Sequence, residues 1–247
     1  MLDISQITAQ DLRLEPYEWA PVDDVFAPAD AAALAATFPR DHFKTVTGYD
    51  GEKGYEYEAR ALIHMGCSAT AFASHLSEPW RQLASDLVSP DYRQAIANLT
   101  KRDLNDLAIE VNVFHYGAGA WLGPHVDLKD KVVTHIFYFN ESWNMEDGGI
   151  LTILRSKSLD DAVATVPPVT GSSVVLVRSD RSWHAVPAIA KGSPKSRRSM
   201  TVTFYRPGSV STMWPPGDET PLHDFADLKM EVGARGWLKR LMTRSER

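Results

Sequence analysis

The chain has a single cysteine, Cys67, so no intramolecular disulfide can form, and a reducing, cytoplasmic setting is the expectation. Cys67 itself reads as a small buried hydrophobe. Cations are in deficit as well, with 26 Lys and Arg against 32 Asp and Glu and a net charge of −6. Nucleic-acid phosphates need clustered cations, so nucleic acid is not an expected partner. No apolar run approaches the ~20 residues that span a bilayer, and residues 1–6 (Met-Leu-Asp-Ile-Ser-Gln) lack the basic and apolar parts of a signal peptide. A membrane is therefore not expected either. Internal repeats, low-complexity tracts and linkers are missing too. What remains is an ordinary globular composition, 44% hydrophobic and 23% charged over 247 residues, long enough for one domain with a sizeable core.

The first part of that domain, residues 1–106, reads as a mostly helical support. Pro28 and the Ala-rich sequence to Phe38 predict a short helix with proline in its first turn. From Ser68 to Leu104 the apolar residues Phe72, Leu76, Trp80, Leu83 and Leu87 recur every three or four positions. Ser89-Pro90 restarts a second helix as N-cap and first-turn proline, with Tyr92, Ile96 and Leu99 on one face. Between these, Gly48 to Arg60 places Tyr49, Tyr55 and Tyr57 among acids and glycines. That stretch reads as a surface hairpin, with a lid over a site as the alternative.

After Leu107 the period changes to two and stays so to about residue 207. Leu107, Ile109, Val111 and Val113 alternate with polar neighbours, and Val132–Phe139, Ile150–Leu154, Val174–Val177 and Met200–Tyr205 are further β-rich runs. Turn residues separate them at 140–149, 167–171 and 191–196. Many short strands at this spacing predict a jelly-roll-like double sheet backed by the N-terminal helices. Residues 208–247 form an extension. Its last part, Asp224–Arg247, reads as a basic amphipathic helix that docks Leu228, Trp237 and Leu238 on its own domain.

Chemistry concentrates in Tyr116–Asp127, Tyr-Gly-Ala-Gly-Ala-Trp-Leu-Gly-Pro-His-Val-Asp. On an extended strand residues two apart share a face, so His125 and Asp127 project together. An imidazole and a carboxylate at one spot are two thirds of a 2-His-1-carboxylate triad, which leaves positions open on non-haem Fe(II). Gly119 and Gly123 supply the turn that delivers them. His184 follows the apolar run Val174–Val177 and is the candidate third ligand. In Arg197–Arg206 alternation separates Arg197, Ser199, Thr201 and Thr203 from Arg198, Met200, Val202 and Phe204. The second set suits packing against helices, which turns Arg197 to the interior. A buried guanidinium needs a carboxylate, and its planar fork suits a dicarboxylate ligand.

The order Tyr116-x-x-Gly119, His125-x-Asp127, Val133-Thr-His-x-Phe-Tyr138, Gly148-Gly-Ile-Leu151, Ser179-x-x-x-Trp-His184 and Arg197-x-Ser-x-Thr-Val resembles the Fe(II)/2-oxoglutarate-dependent dioxygenases of the prolyl 4-hydroxylase catalytic-domain type. The resemblance covers about 107–207. It implies a double-stranded β-helix, a distorted jelly roll, with His125, Asp127 and His184 on iron. Arg197 and Tyr138 would hold the distal carboxylate of 2-oxoglutarate, with Tyr116, Leu151 and Thr201 beside it. The segment 191–196 lengthens the spacing from His184 to Arg197, so Arg198 is the alternative anchor.

By the same resemblance the reaction is hydroxylation of an unactivated C–H bond in a small molecule, amino acid or prolyl or peptidyl substrate. 2-Oxoglutarate and O2 are consumed, succinate and CO2 are released, and ascorbate supports activity. A homodimer is expected. Asp127 speaks against the halogenating variants, which leave that position to a halide. The competing readings are a cupin-like Zn- or Mn-dependent isomerase or hydrolase on the same ligands and a non-catalytic jelly-roll binding module. Trp121, Trp143 and Trp183 read as core aromatics, His135 as structural, His115 as off the site, and Arg178 and Arg181 as solvated turn residues.

Overall fold

The computed structural model describes residues 1–50 and 53–225. In chain order these form α1 (Ile4–Thr8), β1 (Trp19–Val22), α2 (Pro28–Ala36), β2 (Lys44–Asp50), β3 (Lys53–Ile63), α3 (Glu78–Leu87), α4 (Pro90–Thr100) and β4 (Ala108–Tyr116). There follow β5 (Trp121–His125), β6 (Lys131–Tyr138), β7 (Leu151–Leu154), β8 (Ala162–Val166), β9 (Ser173–Val177), β10 (His184–Val186) and β11 (Arg197–Tyr205). The strands join one nearly closed, barrel-like antiparallel sheet in the order β1-β9-β6-β11-β4-β3-β5-β10-β7-β8, with β2 added to β3. This is the double-stranded β-helix that the motif order implies.

α2 and α4 begin where the sequence signals place them, whereas the helical pattern expected from Ser68 becomes a helix only at Glu78 of α3, after Phe72 at φ +53°. Pro28 and Pro90 sit in first turns, and the Ser89 side chain accepts from the Tyr92 amide. Trp80, Leu83, Leu87, Tyr92, Ile96 and Leu99 of α3 and α4 pack on Val133, Phe137, Val175, Met200, Val202 and Phe204 of the sheet's outer face. A second core lies inside the barrel, where Phe114, Tyr116, Ile136, Tyr138, Leu151, Ile153, Val174, Leu176 and Val186 meet. Strand β11 faces both: its even-numbered residues seal the helices and its odd-numbered ones line the interior.

The N-terminal part is less helical than its sequence reads, because β1, β2 and β3 belong to the sheet. Residues 48–50 lie in β2 and residues 53–60 in β3, which pair with each other, and β3 also pairs with β4 and β5. Period-two alternation of tyrosines with acids is the strand signal there, and only pairing with β4 gives it a buried face. Cys67 is exposed rather than buried, since it follows Gly66, φ +74°, in the turn after β3 and donates its amide back to the His64 carbonyl. The expected helix over Asp224–Arg247 lies outside the described residues, apart from Asp224 and Phe225 at its start. Among the described residues, no helix is long and apolar enough to cross a membrane.

Candidate metal centre

His125 ends β5 and His184 begins β10, and the two are direct cross-strand partners. Their ring centroids lie 4.3 Å apart. Asp127, two residues past β5, completes a buried cluster in which one ligand atom from each residue lies within 4.8 Å of the others. His125 Nδ1 contacts the Gly123 carbonyl at 2.9 Å, and His184 Nδ1 contacts the Ser182 carbonyl at 2.9 Å. A carbonyl can only accept, so Nδ1 carries a proton in both rings and Nε2 is the nitrogen that offers a lone pair when the ring is neutral. Each carbonyl lies two residues before its histidine, so local chain geometry presets both tautomers. Gly119, at φ +84°, supplies the turn before β5, while Gly123 lies within the strand and contributes its carbonyl.

The carboxylate is held as firmly. Lys131 Nζ donates to Asp127 Oδ1 at 2.8 Å, and Thr134 Oγ1 donates to Oδ2 at 3.0 Å. Burial opposes ionisation of Asp127, but the Lys131 ammonium and the two imidazoles outweigh it and hold the carboxyl well below the usual range. Burial likewise opposes the charge on Lys131, and Asp127 restores it, leaving the ammonium above its ordinary value. An ionised carboxylate beside two neutral-capable imidazole nitrogens, all facing one point, fits a divalent cation of the Fe(II) kind.

These groups line a cavity of about 110 Å³ whose wall also contains Tyr116, Leu151, Arg197, Ser199 and Thr201. Arg197 is buried at 2% exposure, donates from Nη1 to Ser199 Oγ at 2.7 Å, and lies over the rings of Tyr116 (4.9 Å) and Tyr138 (5.2 Å). Arg198 points the other way, over Phe38 at 5.5 Å in the helix-facing layer. Among the described residues no buried carboxylate meets Arg197, and its Nε and the Tyr138 hydroxyl are buried without hydrogen-bond partners. A buried guanidinium on the cavity wall with an unbonded N–H fits an anionic ligand end. Burial pushes the Tyr116 and Tyr138 hydroxyls up to about 12, against the opposing pull of Arg197, so both stay protonated donors.

Of the residues expected at the site, His125, Asp127, His184, Tyr116, Leu151, Arg197 and Thr201 all line the cavity. Tyr138 does not; it stands fully buried behind Arg197. His115 is turned away, bonded to Glu58 and stacked on Phe225 at 3.8 Å. His135 is structural: Ser173 Oγ donates to the Val22 carbonyl, so it accepts from His135 Nε2, and Nδ1 accepts from the Tyr92 hydroxyl at 3.0 Å. Trp143 serves its loop, donating to the Gly148 carbonyl. The sequence reading missed Lys131, Thr134 and Met213, which line the cavity, and reached Tyr57, also in the lining, only through the lid alternative for its stretch. Lys131 and Thr134 had a signal, standing four and seven positions after Asp127 at the head of the next strand.

Residues 111–205 match the model of the 2OG-Fe(II) oxygenase superfamily. No curated protein matches the chain in sequence. Among solved structures, a Pseudomonas putida prolyl-4-hydroxylase is 22% identical, with a TM-score of 0.54 over 83% of this chain and 97% of its own. An oxidoreductase of the 2OG-Fe(II) oxygenase family from Burkholderia pseudomallei is 14% identical, with a TM-score of 0.57 over 82% of this chain and 91% of its own. A Trichoplax adhaerens prolyl hydroxylase, solved with a hypoxia inducible factor peptide fragment, is 15% identical, with a TM-score of 0.53 over 82% and 86%. At these identities the likeness is one of fold.

Proposed function

We propose that this chain, a 2OG-Fe(II) oxygenase of the prolyl 4-hydroxylase-like type through residues 111–205, hydroxylates an unactivated C–H bond of an organic substrate. The observation that carries the reading is the convergence of His125, Asp127 and His184 on the cavity that Arg197 also enters. Iron with 2-oxoglutarate and O2 supplies the oxidising chemistry, releasing succinate and CO2.

The chain's own residues bind and orient. His125, Asp127 and His184 would hold the metal, with the Gly123 and Ser182 carbonyls fixing both imidazole tautomers. Lys131 and Thr134 fix the carboxylate's two oxygens. Arg197 is placed to receive the distal carboxylate of 2-oxoglutarate by charge-assisted hydrogen bonds, with the Tyr138 hydroxyl behind it. Leu151 and Ile136 give the cavity an apolar wall that excludes water from the reacting end. No side chain needs to act as general acid or base.

Purified protein given Fe(II) and 2-oxoglutarate is expected to release succinate, slowly when no substrate is present. Failure to bind either iron or 2-oxoglutarate sinks the reading. A cytoplasmic location, a homodimer and ascorbate as supporting reductant belong to the same proposal. Fractionation, sedimentation and an ascorbate titration of succinate release check them.

A further inference from the structure

A second group of two imidazoles and a carboxylate converges at the root of the β2–β3 hairpin. Asp41 and His42 lie in the bend before β2, and His75 ends the single helical turn Ala73–His75 between β3 and α3, 33 positions after His42. One ligand atom from each residue lies within 4.8 Å of the others, as in the catalytic cluster. The two clusters share no residue.

Asp41 is the hub. Its Oδ2 accepts from His75 Nδ1 at 3.1 Å, and its Oδ1 lies 3.2 Å from His42 Nδ1. Arg60, fully buried, anchors it by donating from Nε to the Asp41 carbonyl at 3.0 Å and to Oδ1 at 3.4 Å. Packing fixes the His42 ring, which stacks on Phe72 with centroids 4.0 Å apart and meets the His75 ring edge-on at 4.6 Å.

A plain hydrogen-bonded knot does not account for His42. Its Nδ1 is buried without a hydrogen-bond partner, because the 3.2 Å approach to Asp41 Oδ1 lacks hydrogen-bond geometry. A buried polar atom in that condition calls for something other than a proton between it and the carboxylate. The separations suit a cation: tetrahedral donors ~2.0–2.2 Å from one centre stand roughly 3.3 Å from each other.

Charge selects among cations. Arg60 offsets the Asp41 carboxylate, so hard Mg(II) or Ca(II), which take mostly oxygen ligands, gain little here. Two imidazoles with one carboxylate suit Zn(II), and half-exposed His75 leaves the fourth position open to water.

We propose that Asp41, His42 and His75 form a second metal site, which takes Zn(II) and ties the bend before β2 to the turn that follows β3. The ion cross-links segments that are separate in the chain, so its binding adds to the stability of the hairpin root. The proposal uses none of the catalytic ligands and stands whether or not the dioxygenase reading does.

The test takes the catalytic cluster out of the count. A full-length His125→Ala/His184→Ala double variant is dialysed against Zn(II) and its metal content measured. One equivalent is expected, and it is lost when either His42→Ala or His75→Ala is added. Zn(II) at a hundredfold excess over its dissociation constant should raise the melting temperature of the double variant by about 5–10 °C, and Mg(II) should not.

A second preparation guards against a misfolded double variant. Protein with an intact catalytic cluster, filled with Fe(II) and 2-oxoglutarate without O2, should take one equivalent of Zn(II) while keeping its iron, and His75→Ala should take none. Absence of bound Zn(II) in both preparations overturns the proposal, as does binding that survives either His42→Ala or His75→Ala. Asp41 would then be an acceptor for its neighbours and nothing more.

Discussion

His125 and His184 face each other across β5 and β10 with ring centroids 4.3 Å apart, and each donates from Nδ1 to the carbonyl two residues before it. The pairing places two lone-pair nitrogens side by side through the sheet ladder alone. Asp127 needs more help, because it lies beyond the end of β5; Lys131 and Thr134 on β6 supply it.

Thr134→Val keeps shape and removes the hydrogen bond to Asp127 Oδ2. Such supporting contacts are typically worth ~10–100-fold in metal affinity. We predict an iron affinity lowered by that factor with the fold unchanged, measured by competition with a chelator. His125→Ala and His184→Ala should abolish stoichiometric iron altogether. Unchanged affinity in Thr134→Val would show that Asp127 is positioned by Lys131 alone.

Arg197→Ala should weaken 2-oxoglutarate binding by about 2–5 kcal/mol, the usual cost of leaving one member of a buried charge pair alone. Arg198→Ala, whose guanidinium lies over Phe38 outside the cavity, should leave it within about 0.5 kcal/mol of wild type. Calorimetric titration with 2-oxoglutarate on iron-loaded protein decides between them. A larger effect at Arg198 would reverse the assignment.

Gly148 has φ +68°, and a Cβ there would lie 2.2 Å from the Ala188 carbonyl oxygen. Backbone cannot yield as a flexible side chain can, so Gly148→Ala meets a clash as well as left-handed strain of about 1–3 kcal/mol. The turn leads into β7, which pairs with β10 and so supports His184. We expect a melting temperature lower by several degrees, at about 2–4 °C per kcal/mol for a chain this size, and reduced iron content. An unchanged melting curve would mean that the 145–149 turn is not rigid.

His135 is fully buried, and burial lowers its pKa from 6.5 to about 3. Between those values the unfolded chain binds a proton that the folded chain refuses. Its contribution to stability is therefore complete above pH 6.5 and falls as the pH drops toward 3, by up to about 1.4 kcal/mol per pH unit. His135→Gln retains one donor and one acceptor for Ser173 and Tyr92 but does not titrate. Its stability should fall less steeply between pH 6 and 4 in denaturant titrations; parallel curves would refute the assignment.

Much of this was legible in the residues. The change of period after Leu107, the Ser89-Pro90 cap and the two faces of Arg197–Tyr205 each follow from local side-chain geometry, and each stands in the fold. The hairpin of β2 and β3 was harder, because its tyrosines and acids alternate without an aliphatic face. It acquires one only on pairing with β4, through Ala59 and Ala61. Cys67 misled for the opposite reason: composition favours burial of a lone cysteine, and a turn after β3 overrode it.

By itself, the sequence determined which residues can ligate, which strand face carries Arg197 and where α2 and α4 start, since these depend on spacings of two to four residues. Only the tertiary structure decided that His184 meets His125 in register, that Lys131 rather than solvent holds Asp127, and that Tyr57 and Met213 join the cavity wall. Those relations join residues that are distant in the chain, and their free energy comes from burial and pairing that exist only once the sheet has closed.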